Sequence, residues 1–96
     1  MYSLIIKPLA ILMTKDAYKW YEEQKPGLGE EFLDELDGIY NKLSAHPEYF
    51  VKLKKNFRQA ALKRFPFVIV YEIIKKGVVV FAVFHTSRNP KYKFRG

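Results

Sequence analysis

The sequence predicts an α+β domain: a helical hairpin packed on a small, largely antiparallel sheet. Two observations carry this. Apolar residues recur at three- and four-residue steps as far as about residue 43, and from Phe57 onward the pattern changes to strand-like runs. The last two runs, FVIVYEII and VVVFAVFH, are separated only by Lys75 and Lys76 with Gly77 beside them, a turn that joins neighbours in an antiparallel sheet. With 96 residues, 49% of them apolar, the chain suffices for one domain spanning residues 1–96 and is too short for two.

Taken in order, residues 2–7 read as a short strand. Pro8 then suits the first turn of a helix, where its missing N–H is no loss. Ala10, Met13, Ala17, Trp20 and Tyr21 form one face of that helix. It ends near Lys25, because Pro26 disfavours helical geometry before it and Gly27 takes turn conformations readily. KPGLG is a tight hinge, since two glycines two apart match no complete phosphate-loop pattern. The second helix carries Glu30 and Glu31 in its first turn, where carboxylates suit the positive end of the dipole. Its apolar stripe is Phe32, Leu33, Leu36, Ile39, Tyr40 and Leu43.

The acids of this region (Glu22, Glu23, Glu30, Glu31, Asp34, Glu35 and Asp37) mostly lie off that stripe and read as a solvated outer face. His46, Pro47 and Glu48 close the helix and begin a connector. FRQAALKR then reads as a strand with a polar component, FVIVYEII as a central strand and VVVFAVFH as its partner. Tyr71 and Phe81 are assigned to the core, and Phe65-Pro66-Phe67 to a strand entrance. Both faces of the last two strands should be covered, because they are apolar at nearly every position. The tail NPKYKFRG alternates basic and aromatic residues, as a further edge segment or a mobile end.

Charge is divided unevenly. Residues 1–48 hold five Lys/Arg against nine Asp/Glu, or −4, and residues 49–96 hold twelve against one, or +11, together the net +7. A basic half of this kind suits a polyanionic or acidic partner, or else a solvated surface kept for solubility. There is no cysteine, so disulfides and thiolate metal sites are excluded, and two histidines make a structural zinc site a poor fit. No metal and no cofactor are expected. The opening SLIIKPLAILM lacks a basic lead-in and is split by Lys7-Pro8, unlike a secretory signal, and no run is long enough to span a bilayer. A cytoplasmic protein without membrane association is expected. The last strand ends on His85, with Arg88 three residues later: either a fastening at a strand end or the edge of a site for a phosphate-bearing partner.

The order of WYEEQKPGLGEEFLDEL, LKRFPFVIVYEI and AVFHTSRNP resembles the RelE/ParE superfamily of toxins from type II toxin–antitoxin modules, most nearly the ParE-leaning group often labelled plasmid-stabilisation proteins. The similarity runs over essentially the whole chain. It implies a helical hairpin against a curved antiparallel sheet, and neutralisation by a cognate antitoxin whose acidic C-terminal segment wraps the toxin, a candidate cover for the second sheet face. It also implies one of two targets: DNA gyrase, poisoned by binding, or messenger RNA on the ribosome, cleaved without a metal. A third expectation is a decayed toxin that keeps only antitoxin binding.

Gyrase poisoning is the preferred expectation, and whether the chain is an enzyme is left open. For the endoribonuclease branch, the 2′-OH must lose a proton, the phosphorane must be neutralised and the 5′-oxygen protonated. His85 is the candidate acid or base, with Arg58, Arg64 and Arg88 on the phosphate and Tyr92 stacking or assisting proton transfer. Lys52, Lys54, Lys55, Arg58 and Lys63 are the candidate contacts to nucleic acid or target. Arg58 and Arg64 share strand parity, so a regular strand would place them on one face. Glu48 and Glu72 are the available acids, neither clearly placed. The alternative for His85 and Arg88 is structural, fixing the chain as it leaves the sheet.

Overall fold

The computed structural model of the chain describes residues 1–87. In order, these form β1 (Ser3–Ile6), α1 (Pro8–Gln24), α2 (Leu28–Ala45), a 3-10 turn (Pro47–Tyr49), β2 (Val51–Lys52), β3 (Phe57–Ala61), β4 (Phe67–Ile74) and β5 (Gly77–His85). The strands make one sheet in the order β1-β5-β4-β3-β2, antiparallel throughout except where β1 runs parallel to β5. The predicted class, a helical hairpin on a largely antiparallel sheet, is what the chain adopts.

Strand alternation sorts the two faces. Ile69, Tyr71, Val78, Val80 and Val83 point to the helices and pack with Ala17, Tyr21, Phe32, Leu36 and Leu43 in the main core. Val68, Val70, Ala82 and Phe84 form a second buried cluster, with Met13 and Phe57 against it. These four are only 2–7% exposed, so the centre of the second face needs no partner to cover it. The register slips between Val70 and Tyr71, which pair with Ala82 and Val80. Phe81 is the extra residue; it stands half-buried against Phe57, ring centroids 5.4 Å apart, instead of entering the core.

Three local outcomes differ from the expectation, the first two through hydrogen bonding. The strand begun at Phe57 stops at Ala61 instead of running to Arg64, because the amides of Lys63 and Arg64 donate to the Glu35 carboxylate, at 2.5 and 3.1 Å, and not to a strand. The connector after His46 holds the short strand β2, on which Val51 pairs with Gln59 and Lys52 with Arg58. Finally, Trp20 leaves the core and is 42% exposed.

The acids are not a uniformly solvated face either. Glu22 Oε1 accepts the amides of Gly27 and Gly29, at 2.9 and 2.8 Å, and so satisfies donors at the start of α2. A phosphate cradle at KPGLG would need those same amides. Glu30 accepts the Tyr18 hydroxyl, and Glu31 pairs with Arg64. Gly27 supplies the sharp entry at φ 90°.

Gly29 marks a close helix–helix approach: a Cβ there would lie 2.8 Å from the Tyr18 carbonyl oxygen and 2.7 Å from Glu22 Cγ. Gly29→Ala should therefore cost about 1–3 kcal/mol through forced separation of the hairpin, read as a lower urea midpoint with an unchanged slope.

Candidate functional site

The basic residues divide between the two ends of the sheet. Lys52, Lys54 and Lys55 belong to β2 and its turn into β3, and Arg58 sits at the start of β3, opposite Tyr71. Lys63 and Arg64 occupy the β3–β4 turn at the other end, where β5 delivers His85 opposite Phe67. From Tyr71 back to Phe67 is four residues of β4, about 13 Å along a strand, with two strand spacings, about 10 Å, across. Arg58 and His85 therefore do not meet at one phosphate. Shared parity of Arg58 and Arg64 carries no meaning either, since Arg64 lies beyond the strand. Arg88 and Tyr92 lie outside the described residues.

Each cation that is held has an internal task. Arg58 Nη1 donates to the carbonyls of Phe50 at 2.8 Å and Glu48 at 3.3 Å, while the buried Tyr71 hydroxyl donates to the Pro47 carbonyl at 2.5 Å. Together they pin the 3-10 turn to the sheet, and burial pushes the Tyr71 phenol up to about 12. Arg64 pairs with Glu31 and stands over the Phe65 ring, 5.4 Å from its centroid. Glu48 and Glu72 are apart, one in the 3-10 turn and the other mid-strand against Phe57 and Val79.

The hydrogen bond from Arg64, aided by its charge, holds Glu31 below its ordinary 4.5. A carboxyl with a lowered folded value stabilises the fold above the unfolded value, and that contribution disappears as pH falls through the folded one. Wild type should thus exceed Glu31→Gln in Tm at neutral pH, with the gap closing below about pH 4 in a thermal-melt series.

His85 stands at the mouth of a groove of about 310 Å³ between α1 and the end of β5. Its Nδ1 accepts the Ser87 amide at 3.2 Å, and its ring meets Phe67 edge-on at 5.3 Å. The groove walls are Leu9, Leu12, Met13 and Trp20 from α1 against Phe67 and Phe84, with Asp16 at the rim. β1 pairs with β5 only at Gly77 to Val80, and β4 holds the other side of β5 as far as His85, so among the described residues the β1-side edge of the last part of β5 faces α1 across this opening. Leu9, Leu12 and Trp20 are 47%, 56% and 42% exposed. Three large apolar side chains exposed together along one groove suit a surface that takes a partner. The sequence pattern placed Trp20 on this face but could not show that the sheet stops short of it.

Among the described residues no group of three or more His, Asp or Glu side chains could hold a metal ion, and no helix is long and apolar enough to cross a membrane.

Residues 4–90 match the family model described as ParE toxin of type II toxin-antitoxin system, parDE. Among solved structures, the chain is similar to one titled "Chromosomal ParDE TA system from P. aeruginosa": 16% identity, TM-score 0.79, covering 91% of this chain and 98% of that one. The comparison with curated proteins returned no match.

Proposed function

The chain belongs to the ParE toxin family of type II toxin–antitoxin systems, and from that premise we propose that it arrests growth in the cytoplasm by poisoning DNA gyrase and is neutralised by a cognate antitoxin. The carrying observation is the family match over residues 4–90. Geometry supports the choice over ribosome-dependent RNA cleavage. Acid–base catalysis needs its groups within hydrogen-bond reach of one phosphate; Arg58 is pinned to backbone carbonyls at the far end of the sheet from His85, and Arg64, at the His85 end, is paired with Glu31. The antitoxin seats apolar side chains of its C-terminal segment in the α1 groove, whose exposed Leu9, Leu12 and Trp20 otherwise face water.

Purified toxin is added in parallel to a gyrase supercoiling reaction and to a ribosomal translation reaction with the message mapped. Trapped gyrase–DNA complexes with intact message are expected. Message cuts that vanish in His85→Ala would replace this reading with the endoribonuclease one. Inactivity in both reactions at high concentration, with antitoxin binding intact, would mark a toxin that has lost its activity.

A further inference from the structure

Among the described residues two that are not glycine have positive φ, Lys55 at 53° and Lys75 at 55°. Lys55 is in the β2–β3 turn, and Lys75 is the first of the two residues joining β4 to β5. Left-handed geometry is unfavourable for a residue with a Cβ, and such turn positions favour glycine, asparagine or aspartate. A lysine is held there twice. The two turns lie at the same end of the sheet, two strand spacings apart, about 10 Å. Lys52 and Lys76 stand beside them, and all four lysines are exposed. Lys76 Nζ rests 5.8 Å from the Tyr2 ring centroid, which leaves its charge at the surface. From residue 49 onward the only acid is Glu72, two residues before the β4 terminus. Backbone strain that recurs under the same side chain at one end of the molecule suggests that the charge there is used.

We propose that the end of the sheet carrying Lys52, Lys55, Lys75 and Lys76 is a contact surface for the phosphodiester backbone of nucleic acid, reading charge and not sequence. Lysine ammonium groups act on phosphate as hydrated point charges, and neutralising several phosphates releases counterions. An acidic peptide fits this end less well: one added as a strand would run along the β2 edge, which carries Lys52, whereas Lys55 lies in the turn and Lys75 and Lys76 cap the interior strands β4 and β5. Sequence patterning marked Lys52, Lys54 and Lys55 but read Lys75 and Lys76 only as a turn. The inference goes beyond the choice of target, because it needs only the polymer's phosphates.

The test uses fluorescence anisotropy with labelled random-sequence duplex DNA and, separately, duplex RNA across a salt titration. Wild type should give a log–log slope of about −3.6 on DNA for four neutralised phosphates. Lys55→Gly/Lys75→Gly should reduce that slope by about half and the affinity at low salt at least tenfold, while Tm holds or rises because glycine suits both turns. The charge-matched Lys15→Gln/Lys19→Gln pair on α1 should lose much less. The DNA and RNA arms identify the preferred polymer. The proposal fails if neither polymer binds, if both double variants lose affinity equally, if the glycine pair lowers Tm, or if polyglutamate competes as well as unlabelled DNA.

Discussion

Phe32→Ala should destabilise the domain by about 3–5 kcal/mol, a large part of the roughly 5–15 kcal/mol that holds a domain of this kind folded. Phe32 is fully buried and sits where three parts of the molecule meet. Its ring lies 5.5 Å from Tyr21 on α1, 5.4 Å from Phe65 in the β3–β4 turn and 5.1 Å from Phe67 at the start of β4. Truncation removes the contacts that tie the hairpin to the sheet and leaves a void among rings too stiff to collapse into it. The loss should appear as a lower urea midpoint and Tm, with increased protease cleavage in the β3–β4 turn. A change below about 1 kcal/mol would mean that the cluster repacks, and the assignment of Phe32 as the joint would be wrong.

Trp20→Ala should leave Tm within a degree or two of wild type yet weaken antitoxin binding by about 2–4 kcal/mol, roughly 30- to 800-fold. The two effects separate because Trp20 is half-exposed and lines the groove opposite Phe67 and His85. In the free protein its removal uncovers little core, whereas in the complex it removes a large apolar anchor. Calorimetric titration with the cognate antitoxin measures the loss, and the loss should persist at high salt, since it arises from apolar burial and not from charge. Unchanged affinity in Trp20→Ala, with Leu12→Glu also binding normally, would move the antitoxin off this groove.

The helices and strands were legible because each follows from neighbours in the chain. Pro8, the Pro26-Gly27 hinge, the Phe32 to Leu43 stripe and the two long apolar runs all carry signals of period and turn chemistry that need no distant contact. The early end of β3 was not legible, since it depends on Glu35, 28 residues before Lys63, taking the amides that a strand would use. Arg64 is a similar case. In the sequence it is one more cation in a basic half; in the fold Glu31 of the acidic half claims it, so part of the charge asymmetry is satisfied internally.

Composition and periodicity alone thus specify the α+β class, a helical hairpin, a largely antiparallel sheet and a strongly basic second half, because hydrophobic period and charge are local properties of the chain. Which cations are engaged and which stay exposed was decided by strand pairing and the turn it imposes: Arg58 and His85 went to opposite ends, Lys55 and Lys75 to the same one. A side chain's partners are set by residues far away in sequence, and only the closed fold brings them within bonding distance.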